Sequence, residues 1–361
     1  MQVNSNPIRS KYPIPDLYKP PPPFLTSDDL ICWIIIKMKT VLVTGSTGLV
    51  GFNIIKSLLK RDYRVKALVR NLEKGKRILP KECQLVLGDI CEPDTLINAM
   101  NDCDWVFHAA GFPEQWMKNN STFQAVNVQG TANMIEAALN ANIERFIHTS
   151  TIDVFLGTGG QHYNESTIDP DPKGTLYERS KQQADQLVAA AMEKGLPAVF
   201  LHPAGLYGPG PTDSPGMNDF FRKLKNKEVP VLLPGGLPLV YGPDVGEGHV
   251  LAAEQAAVGE RFILSESYFS LTDLAKNALV KIAPQQKVPP VMPLVIAKVV
   301  ASLGEAFANL INKAPLIPKG QLHFLQWQAI PVSDKAQSQL GWQPTTFDKG
   351  LQSTLDYLFE V

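Results

Sequence analysis

The chain has 361 residues, enough for one large or two ordinary domains, and its 44% hydrophobic and 19% charged residues give the balance of a globular protein. A net charge of −1 excludes a global field that would draw it to nucleic acid or anionic lipid. Cys32, Cys83, Cys91 and Cys103 form no C-x-x-C pair, so they read as reduced packing residues of a cytoplasmic protein rather than as zinc ligands or a disulfide framework.

Residues 1–37 stand apart. KYPIPDLYKPPPPFLTSDD is proline-rich without helical or strand periodicity and is expected as an extended arm outside the fold, with polyproline recognition as the alternative. ICWIII is too short to span a bilayer and lacks the charged start and cleavage site of a signal peptide. Met38, directly before KTVLVTG, is the expected start of the folded part.

From Lys39 the pattern alternates. Strands are expected at KTVLVTG, RVKALVR, CQLVLGD, DWVFHAAG, ERFIHTST and AVFLHPAG. Helices are expected between them, at FNIIKSLLKRD, PDTLINAMND, FQAVNVQGTANMIEAALNAN and LYERSKQQADQLVAAAMEKG. Apolar strands between amphipathic helices call for a parallel sheet covered on both faces, so the fold class is α/β with a doubly wound sheet. After Gly208 the rhythm loosens. YGPGPTDSPG and LLPGGLPLVYGP read as long loops, and helices return at LTDLAKNALVKIA and MPLVIAKVVASLGEAFANLINKA. The last of these is unusually apolar and is expected to be buried or to line a lobe, with contact to a membrane surface as the alternative. Its Lys298, Glu305 and Lys313 argue against an integral membrane span. A final helix is expected near Phe347–Phe359. These divisions suggest a nucleotide-binding domain over 38–208 and a smaller substrate lobe over 209–361 with elements returning to the sheet.

Three glycines, Gly45, Gly48 and Gly51, lie between the first strand and the first helix. In that context they predict a dinucleotide site: a tight turn, a close approach of pyrophosphate, and a close helix–strand contact at a helix N-terminus. The second strand ends in ALVRN, with Arg70 where an acid would read the ribose of NAD, and Lys74, Lys76 and Arg77 follow. An arginine fork suits a 2′-phosphate, so NADP(H) is favoured, with NAD(H) as the alternative. Asp89, at the end of LVLGD, could accept from an adenine amino group.

Tyr177 and Lys181 are four apart on an expected helix and share one face. An ammonium near a phenol favours the phenolate and would bring it into a useful range for acid–base work. Ser150 and Thr151, at the carboxyl end of the HTST strand, both qualify as the hydroxyl that holds a substrate oxygen. His108 reads as a packed core histidine with satisfied nitrogens. His148 and His249 lack carboxylate or cysteine neighbours at ligand spacing, so no metal site is expected.

Together T-G-x-x-G-x-x-G, G-D-I, H-A-A-G, V-N-V-Q-G-T, T-S-T-x-x-V-F, Y-x-x-x-K and H-P-A-G-L-Y-G-P-G resemble the extended short-chain dehydrogenase/reductases, the epimerase/dehydratase superfamily. The resemblance runs from Lys39 to the C-terminal SDKAQSQLGWQP. It is nearest to the branch of dihydroflavonol 4-reductases, 3β-hydroxysteroid dehydrogenases and hopanoid-associated epimerase-like proteins. It implies a Rossmann sheet with a smaller C-terminal substrate lobe and hydride exchange between NAD(P) and a ketone or secondary alcohol. It implies Tyr177 as general acid/base, Lys181 as its partner on the nicotinamide ribose, and Thr151, with Ser150 just before, as the hydroxyl. The cofactor would lie against Gly45, Ser46, Thr47, Gly48, Leu49, Val50 and Gly51, then Arg70, Asp89, Ile90, Ala109, Ala110, Gly111 and Asn127, and finally His202 and Pro203. FPEQWMKNN would line the substrate pocket, giving Gln115 and Trp116 as contacts alongside Asp153. The nucleotide-sugar dehydratases carry T-D-E where this chain has TID, which argues against dehydration. YGPDVGEGH, read as a loop around Asp244, resembles an epimerase segment and keeps a nucleotide-sugar epimerase as the rival. Non-enzymatic sensors and scaffolds of this fold tend to lose Tyr or Lys, and both are present here. The expected partner is a small molecule, with homodimerisation common among such proteins.

Overall fold

Strand β1 (Thr40–Thr44) is apolar on both faces, and Val41, Leu42 and Val43 are fully buried. A strand so buried needs cover above and below. In the computed structural model, residues 39–118, 120–211, 216–311 and 315–360 are described, with side chains for all but 309–311. The proline-rich arm, ICWIII, Cys32, Met38 and Lys313 lie outside them.

Helix α1 (Leu49–Leu59) returns to β2 (Arg64–Val69), followed by α2 (Leu72–Ile78), β3 (Gln84–Leu87), α3 (Pro93–Met100) and β4 (Trp105–His108). Then come α4 (Gly130–Asn140), β5 (Arg145–Thr149), the short β6 (His162–Tyr163), α5 (Leu176–Met192) and β7 (Ala198–Pro203). The main sheet has seven strands in the order β10-β7-β5-β4-β1-β2-β3, where β10 is Arg261–Leu264, and every pairing is parallel. Val41, Val43, Val65 and Val69 pack on one face with Ile54 and Leu58 of α1. Leu42, Leu68, Val106 and Phe146 pack on the other with Leu96, Met134 and Val188 of α3, α4 and α5. Truncating Leu42 to alanine here would cost about 2–5 kcal/mol. The strand order reverses between β1 and β4, and in doubly wound sheets the ligand crevice opens at the carboxyl ends of such a pair.

Beyond Gly208 the structure departs from the expected loops. LLPGGLPLVYGP contains β9 (Gly236–Tyr241), the middle of a three-stranded sheet between β8 (Gly205–Tyr207) and β11 (Ser267–Ser270). Pro238 hid this strand, since proline is disfavoured in a central strand. It is tolerated because pairing with β8 begins only at Leu239, so no ladder bond is asked of it on that side. The segment around Asp244 is likewise not a loop. It starts helix α7 (Gly242–Gln255), whose Val245 and Val250 pack in the cluster with α1. Helices α6 (Met217–Lys225), α8 (Leu271–Ile282), α9 (Leu294–Ile311), α10 (Lys319–Trp327), α11 (Asp334–Leu340) and α12 (Phe347–Phe359) complete the described chain, with a two-residue β12 (Ile330–Pro331) beside β6. The apolar helix α9 is only half as expected: one face packs on α10 and the other is exposed.

Four histidines are fully buried: His108, His148, His202 and His249. Three stand on adjacent strands, with His108 opposite His148 and the two rings stacked. Burial pushes His108 and His202 down to about 3, His249 to about 4, and His148 well below its ordinary range. The unfolded chain protonates these imidazoles near pH 6.5 while the folded chain does not, so each contributes stability that is lost as pH falls below 6.5. Of the carboxyls, only Asp153 is raised far enough to oppose this strongly in the same window. Stability to urea is therefore expected to fall between pH 6.5 and 5, by up to about 4 kcal/mol per pH unit once all four imidazoles titrate in the unfolded state against that one opposing carboxyl. A urea midpoint unchanged from pH 7 to pH 5 would show that the imidazoles are not held neutral.

Candidate active site

The glycine turn sits at the switch point. Gly45 has φ +65°, and a Cβ there would stand 2.6 Å from the Ala109 carbonyl oxygen, so only glycine fits between the two strand ends. Its carbonyl accepts from Gly48 N–H at 2.9 Å, and a Cβ on Gly51 would run into the same carbonyl. Gly48 caps α1 with no side-chain acceptor, and the first turn of α1 holds no acid. The cradle and the uncompensated helix N-terminus fit a pyrophosphate. Ser46 is turned inward, its hydroxyl donating to Val43 O at 2.7 Å. Leu49 lies against Gly210, and Val50 packs on the core.

Next to the turn a cavity of about 310 Å³ is lined by Thr47, Val69, Arg70, Asn71 and Lys74. Arg70 is exposed at its wall and forms no ion pair among the described residues. Lys76 pairs with Glu73 at 2.8 Å, and neither it nor Arg77 lines the cavity. Asp89 is engaged locally, its carboxylate accepting from Cys91 N–H at 2.9 Å. Ile90 packs on Gly130, and its carbonyl accepts from Asn133 at 2.8 Å. Beyond β4, Ala110 N–H donates to Thr44 Oγ1 at 3.1 Å. Gly111 lies near Asn127 and Lys181: a Cβ there would be 3.5 Å from Asn127 Oδ1 and 4.0 Å from Lys181 Nζ.

Asn127 falls in a π-helical stretch, Gln124–Gln129, where a regular helix was expected. In this wider turn its amide is buried, accepting from Phe112 N–H at 2.7 Å and donating to Ser180 Oγ at 2.9 Å. Its side chain thus braces the strand-end loop against α5 rather than standing open to a ligand.

Helix α5 starts from a capping box: Thr175 Oγ1 accepts from Glu178 N–H, and Glu178 accepts from Thr175 N–H. That start sets Tyr177 and Lys181 on one face. Lys181 is buried with its ammonium donating to Thr149 O at 2.8 Å. Burial brings it down to about 8, against the pull of Asp185 and Asp153. The Tyr177 phenol is pushed above its ordinary range, first by burial and then by the Asp153 charge, while a hydrogen bond with Thr151 works the other way. The expected ammonium effect is therefore not what governs the phenol in the free protein: burial and the Asp153 charge do.

Thr151 donates to Asp153 Oδ2 at 2.9 Å. Asp153 is buried and raised to about 7, first by burial and then by Glu178, and its Oδ1 has no partner among the described residues. Ser150 Oγ is also buried without a partner there. His202 Nδ1 donates to Thr151 O at 3.0 Å, fixing the backbone of that residue, with Pro203 ending the same strand. Gln115 and Trp116 are half-buried in the loop after Gly111, and Gln115 lies against Gly320 at the start of α10.

One group escaped sequence reasoning. Arg261 pairs with the buried Asp185 at 2.8 Å and lies 3.3 Å from His202 Nε2. The row Tyr177, Lys181, Asp185 continues at a spacing of four and was the available signal for Asp185. Arg261 comes from β10, which had no strand signal beyond three apolar residues.

The chain matches the NAD dependent epimerase/dehydratase family over residues 41–264. It is 28% identical over 328 residues to a dihydroflavonol 4-reductase-like protein of Synechocystis sp., covering 87% of this chain and 93% of that one. It is 30% identical over 325 residues to the 4-hydroxy-2-methyl-3-oxo-4-farnesyl-3,4-dihydroquinoline-1-oxide ketoreductase of Stigmatella aurantiaca, covering 86% and 94%. The solved structure of gox2253 superposes with a TM-score of 0.77 at 27% identity, over 89% of this chain and 98% of that one.

Removing Arg261 strands a buried carboxylate. Arg261→Met is expected to lower unfolding free energy by about 3–5 kcal/mol, while adding Asp185→Asn should recover part of the loss. Additive losses in urea titrations of the two single variants and the double variant would refute the coupling.

Proposed function

The chain belongs to the NAD dependent epimerase/dehydratase family and is an oxidoreductase acting on hydroxyl or keto groups, and we propose that it reduces an apolar ketone with NADP(H), Tyr177 giving the proton. The observation that carries this reading is the meeting of a protonated Tyr177, Thr151 and Lys181 on α5 and the end of β5, beside the glycine turn. The bound nicotinamide would supply the hydride. Everything else is asked of the chain.

Tyr177 would donate to a carbonyl oxygen set against it as charge grows there, and Thr151, which hydrogen-bonds Tyr177, would add a second bond by turning its hydroxyl away from Asp153. In the reductive direction Tyr177, a phenol at neutral pH, would transfer its proton to the forming alkoxide. Lys181, held between Thr149 and the Gly111 backbone, stands where it would hold the ribose hydroxyls. It keeps positive charge near the phenolate left behind. Asp153 Oδ1 is the acceptor left for an O–H or N–H of the substrate. The apolar character of the substrate is supported by the Stigmatella relative, whose named substrate carries a farnesyl chain.

The preference for NADP(H) rests on the cavity next to the turn, with Arg70 and Lys74 in its wall and no acid lining it. We also read residues 38–208 as the cofactor domain and the later chain mainly as substrate lobe. The epimerase rival loses the segment that suggested it as a discriminating feature. Asp244 accepts from Thr345 N–H and O–H at 2.6 and 2.9 Å, and its carbonyl accepts from Trp342, so it pins the C-terminal chain.

Tyr177→Phe is expected to lower ketone-dependent NADPH oxidation by about 10²–10⁴-fold with cofactor binding intact. Unchanged turnover would remove Tyr177 from the chemistry. For the cofactor, Arg70→Ala should weaken NADPH about 10- to 100-fold and leave NADH nearly unaffected, the cost of one charge-assisted phosphate contact. Equal affinities for the two cofactors in the unaltered chain would overturn the preference.

A further inference from the structure

Helix α9 is built the wrong way round for a helix that only packs on its own protein. Its inner face carries the small buried residues Ala297, Ala301 and Ala308, the first two packed with Ile317 and Leu322. Its outer face carries the large ones. Val295 is 74% exposed, Val299 53%, Leu303 67% and Phe307 61%, and at a spacing of four they form one continuous stripe. Ile296 and Val291 lie beside it in sequence, and Leu316, 88% exposed, follows before α10. Scattered apolar residues on a surface need no explanation, but a stripe of this length marks an interaction site.

The charges near the stripe indicate what covers it. Among the described residues of 284–320 stand Lys287, Lys298 and Lys319 against a single acid, Glu305. Lys287, Lys298 and Lys319 are exposed. Glu305 is engaged within the protein, accepting from Lys319 N–H at 2.7 Å with the Lys319 ammonium 3.7 Å away. The patch is therefore locally cationic although the whole chain is near neutral. A second copy brought against it face to face would oppose lysine to lysine. An anionic surface with an apolar interior would satisfy both features. No helix among the described residues is long and apolar enough to cross a membrane, so the stripe would lie in the plane of an interface.

We propose that the exposed face of α9, with Leu316, docks on the surface of a bilayer containing anionic phospholipid. This stands apart from the redox reading, since it concerns binding and not turnover. The test is sedimentation of the full chain with phosphatidylcholine vesicles, with and without about 30% phosphatidylglycerol. The chain should partition at least about tenfold more strongly onto the anionic vesicles, and Leu303→Glu with Phe307→Glu should abolish this while leaving the thermal melt unchanged. Lys298→Glu alone should weaken binding and flatten its dependence on salt. The proposal is overturned if the unaltered chain stays in the supernatant with both vesicles, or if the double variant binds as well. It is equally overturned if the double variant turns a dimer into a monomer in sedimentation velocity while vesicles have no effect, since a second copy would then cover the face. Ketone reduction by the unbound double variant separates failure here from failure of the catalytic reading.

Discussion

Everything in the site hangs from the contact between the turn after β1 and the backbone after β4. Gly45 leaves no room for a side chain, so the two strand ends meet at the point where the sheet changes direction. From that contact one directional hydrogen-bond chain crosses to the catalytic helix. Ala110 N–H donates to Thr44, whose hydroxyl donates to His108 Nδ1; His108 Nε2–H donates to Thr131. The Thr131 hydroxyl donates to Asn127 O, the Asn127 amide to Ser180, and Ser180 to the carbonyl of Tyr177. Each donor has one acceptor, and this fixes the tautomer of His108 as well as its neutrality. The cofactor turn and the candidate acid are thereby parts of one rigid frame.

That frame creates a poorly solvated space, and desolvation is the leading cause of every large pKa displacement in it. It pushes the phenol up, brings the ammonium down to about 8 and lifts the Asp153 carboxyl to about 7. The three move toward their neutral forms. A neutral phenol is an acid looking for a base, whereas a phenolate would be a base looking for a proton. The same burial gathers three shifted groups in one place, which is the pattern of a functional site. The Asp185–Arg261 pair keeps this from going further, since Asp185 holds part of the ammonium's charge in place.

Six of the seven strands of the main sheet were legible because each is a short apolar run set between helical stretches, and buried parallel strands are written that way. β10 was not, although RFIL is as long and as apolar as the β3 run, because it lies beyond Gly208, where the alternation of strand and helix that marks the others has lapsed. β9 was concealed by Pro238, whose cost depends on where pairing with β8 begins, and that is a tertiary fact. Within the site the row Tyr177–Lys181 was legible as helix spacing, and the glycines as a turn. The displacement of the phenol upward was not, because it depends on burial and on the Asp153 charge, which only the fold brings against Tyr177. The roles of Asp89 and Asn127 also read differently once their side chains are seen to be engaged within the protein.

Helix α10 joins what lies outside the site to what lies within it. On one side Leu322, with Ile317 just before the helix, packs into the alanines of α9. On the other, Gly320 lies against Gln115 and Thr175, and His323 stands 3.8 Å from Glu178 in the capping box of the catalytic helix. A Cβ on Gly320 would come within 2.8 Å of Gln115 Oε1, and one on Gly174 within 2.9 Å of His323 Nε2, so α10 is seated closely on both the loop before the site and the start of α5. An element packed this tightly cannot shift without moving the residues it touches. Whatever covers the exposed stripe of α9 is thus one helix away from the N-terminus that aims Tyr177.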